Sequence, residues 1–284
     1  MPSTPTPMAT ERTFGVVRRR APGHRGLDPF YTELLGGVER VLDQAGAHIV
    51  LHIVASLDEE LATYRRWSER RMVEAVMLSD LVEDDPRVDA CAGLGLPAVL
   101  VGGGPRPGHV VINVDNQRSM RDAVRFLVDL GHRTLGRVAG PPTLLHTQAR
   151  TAAFDAVAAE LGVDGWSVTG DYGADSGAER ALALLAEHPA ITALVFDNDV
   201  MAVAALDAVR SLGRAVPGDL SILAWDDSPD CQLAEPSLSV VARDVRAIGS
   251  LVGAALLEHS EGDDRFAPPA VIVQRASTAR LDRP

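Results

Sequence analysis

Short apolar runs separated by stretches of helical periodicity recur along this chain, and that alternation constrains the fold more than any other feature. TFGVV (13–17), HIVLHIV (48–54), VEAVMLS (73–79), PAVLV (97–101) and VVINV (110–114) are the first five runs. Apolar runs without polar alternation suit strands buried on both faces, as in parallel sheets covered by helices on either side. The intervening segments fit that reading. Asp28-Pro29 supplies a helix N-cap and a first-position proline. Leu34, Val38, Val41, Leu42 and Ala45 then recur at helical spacing until Gly46. Helices are expected over 58–71, 86–94 and 116–130, the last with Met120, Ala123, Val124, Leu127 and Val128 on one face. TLGRVAG (134–140) opens a second series, with strands near 166–169, 191–196, 220–225 and 270–274 and helices over 147–161, 176–187, 199–212 and 244–258. About ten strands and nine helices exceed one ordinary sheet. The expected fold class is α/β, with two doubly wound parallel-sheet subdomains.

Composition narrows the function. The 284 residues are 46% hydrophobic, enough for two medium cores, and carry a net charge of −12, which repels nucleic acid. All 27 basic residues are Arg. The absence of lysine removes Walker-type phosphate loops and Schiff-base chemistry. Cys91 and Cys231 read as reduced thiols, too few for a disulfide framework or a zinc site. Residues 1–12 read as a disordered leader without the basic and apolar regions of a secretion signal. No apolar stretch approaches the roughly 18 residues of a membrane helix. A cytoplasmic protein with no membrane partner, no metal and no cofactor is expected.

In open parallel sheets, ligands sit beyond the carboxyl ends of the strands. That rule singles out Arg18 to Tyr31, Asp115, Pro141 to Arg150, Tyr172, Asn198 and Asp226. Asp226-Asp227 lacks a second acid or base partner and suits binding of hydroxyl groups better than catalysis. His146 and Arg150 share one face of a helix start, where His146 is either a ligand contact or a polar helix opener. Arg18-Arg19-Arg20 reads as a solvated loop, with an electropositive rim for an anionic ligand as the alternative. Gly102-Gly103-Gly104 is followed by prolines, not by a helix start, and reads as a flexible connection. Tyr31 and Tyr172 are scarce aromatics that serve either the core or a sugar face.

Several blocks occur in an order that resembles the lactose-repressor (LacI/GalR) family. DPFYTELLGGVERVLDQAG resembles the family's opening helix, and VEAVML, GLPAVLVGG, INVDNQRSMRDAVRFLVDLGHRTLGRVAGPP, QARTAAFDAV, TALVFDNDVMAVAALDAVRSLGRAVPGDLSILAWDDS and EPSLSVVARDVRAIGSLVGAALL resemble its later blocks. The resemblance implies a periplasmic-binding-protein-like fold of type I. Its two subdomains, 13–131 plus 245–269 and 132–244 plus 270–280, would be joined by three crossings near 131, 243 and 270. It implies ligand contacts at Phe30, Tyr31, Asp115, His146, Arg150, Tyr172, Asn198, Asp226 and Arg243. It also implies a sensor core for a small-molecule effector, expected to be a sugar or sugar derivative, in a homodimeric transcription regulator. Operator DNA would be read by an N-terminal helix-turn-helix that residues 1–12 do not resemble. The alternative is a stand-alone periplasmic-type sugar-binding protein; an enzyme has little support. The departures are the triple Arg after the first strand, Ala153 and Ala224 in place of family glycines, and Arg243 where a Gln is common.

Overall fold

The computed structural model describes residues 12–20, 28–259 and 263–281. The first half contains β1 (Arg12–Arg19), α1 (Pro29–Gln44), β2 (Ala47–Val54), α2 (Leu57–Glu69), β3 (Val76–Leu78), α3 (Pro86–Gly93), β4 (Ala98–Val101), β5 (Val110–Asn113) and α4 (Asn116–Asp129). The second half contains β6 (Thr134–Ala139), α5 (Leu145–Leu161), β7 (Asp164–Thr169), α6 (Ala174–Glu187), β8 (Ala193–Phe196), α7 (Asp199–Ser211), β9 (Ser221–Trp225), α8 (Pro229–Leu233), β10 (Ser239–Ala242), α9 (Val245–Leu257), β11 (Arg265–Phe266) and β12 (Val271–Val273). The leader expected over 1–12 lies outside the described residues apart from Arg12, which begins β1.

Two six-stranded sheets result, ordered β11-β5-β4-β3-β1-β2 and β12-β10-β9-β8-β6-β7. Every pairing is parallel except that of β12 with β10. The two orders repeat one winding pattern. The chain moves one way from β1 to β2, then reverses past β1 to β3; it does the same at β6. Each sheet therefore has a topological switch point, between β1 and β3 in one and between β6 and β8 in the other, where a crevice forms at the carboxyl ends.

Helices cover both faces of each sheet, giving four apolar cores. The amphipathic stripe of α4 decides where the chain first changes subdomain. Met120, Ala123, Val124 and Leu127 pack with Phe154, Val157 and Trp225 in the core of the second sheet. The first crossing thus lies between β5 and α4, not near residue 131: a helix belongs to the sheet that buries its apolar face. On α7, Met201, Ala202 and Ala205 are buried against α6 and the second sheet, while Val200, Val203 and Ala204 are half-buried.

α1 and α9 pack closely because their contact is built on glycine. A Cβ at Gly249 would lie 2.1 Å from the Leu34 carbonyl oxygen, and one at Gly37 would lie 2.2 Å from that of Arg246. Neither backbone can yield cheaply. Gly249→Ala is expected to destabilise the protein by roughly 1–3 kcal/mol through overpacking. Gly36→Ala, in the same helix α1 with nothing within 4 Å of the added Cβ, is expected to be neutral or stabilising by up to about 1 kcal/mol through helix propensity. Urea unfolding of the two variants separates these effects; equal stabilities would remove the close-approach explanation.

Candidate functional site

At the first switch point, Arg18 leaves β1 and turns inward. Its guanidinium lies 3.5 Å above the Tyr31 ring centroid and donates to Asp80 at 2.8 Å. Asp80 follows β3 in a left-handed conformation, φ 51°. Burial alone raises a carboxyl pKa, but the charge and hydrogen bond of Arg18, with a hydrogen bond from Tyr31, outweigh it and hold Asp80 below the usual carboxylate range. The Tyr31 hydroxyl sits 3.0 Å from Ser79, and burial pushes its phenol up. Phe30 stands edge-on to Tyr31 at 5.1 Å. From the second half, Arg243 covers Phe30 at 4.9 Å, so the two halves meet here.

At the second switch point, Arg137 of β6 donates to both carboxylate oxygens of Asp197 at 2.9 and 2.6 Å, and both side chains are fully buried. The Gly140 amide donates to the same carboxylate. Arg150, on the second turn of α5, lies 4.0 Å over the Trp225 ring and donates to Asn116 Oδ1 and to the Asp197 carbonyl. The Tyr172 hydroxyl lies 2.8 Å from His146 Nε2 and 3.1 Å from Thr147 Oγ1. Burial, then the charge of Arg150, lowers the His146 pKa to about 4, so its imidazole is neutral at neutral pH. Arg243 donates to both Asp226 oxygens at 2.7 and 2.5 Å. Tyr172 and Asp226 both adopt φ 72°. With Asp80, three non-glycine residues at this seam hold a backbone conformation that costs energy, a pattern that clusters at ligand sites.

Seven expected contacts therefore gather here: Phe30, Tyr31, His146, Arg150, Tyr172, Asp226 and Arg243. Two do not offer a side chain in the same way. Asp115 is exposed and caps α4 by accepting from the Arg118 amide. Asn198 is buried, but its side-chain Oδ1 accepts from the Met201 amide and its Nδ2 donates to the Tyr172 carbonyl. Its role is to cap α7 and hold Tyr172. Sequence reasoning singled out Arg18 in the strand-end stretch but named neither Asp80 nor Asp197. Asp197 directly follows β8 and Asp80 lies two residues beyond the end of β3, so the strand-end rule would have found them. The triple Arg divides by position: Arg18 enters the seam, Arg19 lies 3.2 Å from Glu60, and Arg20 is exposed. Among the described residues, each cationic side chain of the seam faces a carboxylate: Arg18 with Asp80, Arg137 and Arg150 with Asp197, Arg243 with Asp226. No described cluster of three or more His, Cys, Asp or Glu could hold a metal ion.

A domain family described as periplasmic binding protein-like matches residues 124–278. The HTH-type transcriptional regulator CelR of Thermobifida fusca is 30% identical over 83% of this chain and 71% of its own length. For two further HTH-type regulators the share of their own length falls to 57% and 61%. A solved LacI family regulator from Bifidobacterium animalis subsp. lactis superposes with TM-score 0.85 at 28% identity, covering 94% of this chain and 98% of that one. A solved CelR–cellobiose complex superposes with TM-score 0.86 at 26% identity, over 94% of this chain and 85% of that one. Two repeated α/β windings, facing switch points and these likenesses agree, and the chain belongs to the LacI family of transcriptional regulators.

Proposed function

We propose that this chain is the effector-sensing core of its regulator and that the effector is a neutral sugar held at the seam between the switch points. The observation that carries this reading is the pairing of the seam. Arg18, Arg137 and Arg243 each bind an aspartate of their own, and Arg150 donates to Asn116 and the Asp197 carbonyl, so the site presents many directional donors and acceptors with no described guanidinium left unpartnered. Sugar hydroxyls suit such a lining, and the rings of Phe30, Tyr31 and Tyr172 suit an apolar sugar face. The anionic ligand suggested by the Arg run loses its support, because Arg18 is paired with Asp80 and Arg20 points to solvent. The rest of the reading follows from the family. The core works in the cytoplasm as a homodimer, binds rather than turns over its ligand, and couples occupancy to operator DNA held by a helix-turn-helix outside the described residues.

The test is a thermal-shift and calorimetric screen of neutral sugars against sugar phosphates. A neutral sugar is expected to raise the melting temperature by binding the native state. Its affinity is expected to stay nearly constant as the Debye length falls from about 30 Å at 0.01 M salt to about 3 Å at 1 M. Binding by sugar phosphates alone, weakening steeply with salt, would overturn the neutral-ligand reading.

A further inference from the structure

We infer that the sensor core itself carries a surface for the phosphates of duplex DNA, built on Arg65, Arg66, Arg70 and Arg71 at the end of α2. The inference rests on the operator-binding part of the reading above and not on its ligand. The segment 65–71 reads RRWSERR, four arginines against one carboxylate, Glu69. Arg65, Arg70 and Arg71 are exposed and Arg66 is half-buried. Among the described residues none of the four meets a carboxylate, and Arg66 alone makes a side-chain hydrogen bond, to Thr63 Oγ1. The arginines of the seam, by contrast, are all partnered. A net charge of −12 repels DNA from the surface as a whole. A phosphate at the patch, however, meets the field within a Debye length, about 10 Å at 0.1 M salt.

The backbone holds this charge at a cost. After α2 the Arg71 amide donates to the Ser68 carbonyl and the Met72 amide to the Trp67 carbonyl, a Schellman ending. Such an ending needs a left-handed residue after the cap. Gly46, Gly95, Gly131 and Gly213 fill that place after α1, α3, α4 and α7. Behind α2 it is Arg71, at φ 49°, a conformation that penalises a side chain. Arg66 and Arg70 also stand one turn apart, where like charges repel. The helix dipole favours cations at this end, but a glycine at 71 would leave three of them and relieve the backbone.

The position suits a polyanion approaching from the side opposite the crevice. The Glu74 amide donates to the Thr13 carbonyl, so the patch stands beside the start of β1. Glu74 does not neutralise it, because its carboxylate is taken by Arg12 and His259. Guanidinium forks match phosphate oxygens. Duplex DNA is the polyanion that a transcriptional regulator approaches, and its charges, one per about 1.7 Å of axis, bring several phosphates within reach of one helix end.

Fluorescence anisotropy of the chain with a labelled duplex of random sequence tests this. Weak binding is expected, with Kd on the order of 10⁻⁴ M at about 50 mM salt and a log–log salt slope of roughly −3. Replacing Arg65, Arg70 and Arg71 together by Ala is expected to weaken binding tenfold or more and to flatten the slope. Replacing the exposed Arg121, Arg125 and Arg133 by Ala removes the same charge from the second half and is expected to change affinity less than twofold. Arg71→Gly is expected to raise the melting temperature while lowering DNA affinity severalfold, a divergence that a purely structural Arg71 would not produce. Absence of salt-dependent binding, or equal losses in the two triple variants, would overturn the inference. Polyglutamate binding as tightly as the duplex would also overturn it, in favour of an acidic protein partner. None of these outcomes touches the sugar-sensing reading, which the sugar screen tests separately.

Discussion

Replacing Arg137 by Met is expected to cost roughly 3–5 kcal/mol of stability, the usual consequence of leaving one member of a buried ion pair alone. Arg137 and Asp197 are both fully buried and joined by two hydrogen bonds. Without the guanidinium, the Asp197 carboxylate keeps the Gly140 amide at 3.1 Å and an Arg150 nitrogen at 4.0 Å. Neither restores what is lost: the amide bears no full charge, and Arg150 directs its bonds to Asn116 and to the Asp197 carbonyl. For a chain of this size the melting temperature is expected to fall by roughly 6–20 °C. Arg125→Ala is the fitting comparison. It breaks a pair with Glu160 whose side chains are 48% and 56% exposed, and exposed pairs contribute about 0–1 kcal/mol. Equal melting temperatures for the two variants would mean that burial does not set the value of the Arg137–Asp197 pair.

The repeated winding was legible because parallel strands buried on both faces are written as uninterrupted apolar runs. ITALVF and LSILAW needed no other context. The helix starts were legible where a side chain caps them: Asp28 accepts from the Phe30 amide, as its place before Pro29 suggests. Elements too short to show a period gave no signal. β11 is two residues long and α8 five; the first exists because Arg265 and Phe266 pair with β5, a contact made from far along the chain. The place of the first crossing was illegible for a different reason. An amphipathic stripe such as that of α4 shows that a helix has a buried face, but not which of two sheets buries it.

The site was legible to the extent that it follows topology. Residues after strands in a doubly wound sheet face the crevice, and Tyr172, Asp226, His146 and Arg150 all do. What sequence could not show was pairing. Arg18 looked like part of a solvated charge run because nothing local connects it to Asp80, 62 residues away. That partner leaves Arg18 no free charge to offer and removes the ground for the anionic-ligand alternative. Asp115 shows the opposite failure: its position after β5 is right, but helix α4 begins at the next residue and uses its carboxylate as a cap.

Asp226→Asn is expected to weaken sugar binding about tenfold to hundredfold while leaving the fold intact. The change is chosen for its backbone. Asp226 holds φ 72°, a conformation that Asn adopts at least as readily as Asp but that costs most other residues energy. What is removed is the negative charge, and with it the strong acceptance of hydrogen bonds. Bonds to a charged acceptor contribute about 1.5–3 kcal/mol each, and each 1.4 kcal/mol is a factor of about ten in affinity. The substitution also leaves Arg243 without a carboxylate partner, because it then faces a neutral amide where it had two charge-assisted bonds. The unpaired Arg243 should make the variant gain affinity for sugar phosphates, and that gain should shrink as salt rises. Calorimetry of both proteins with one neutral sugar and its phosphate, at low and high salt, reads both effects. Unchanged affinity for the neutral sugar would leave Asp226 as a partner of Arg243 only. A weaker neutral ligand without any gain for the phosphate would keep Asp226 as a contact but refute pairing of the guanidinium groups as the basis of selectivity.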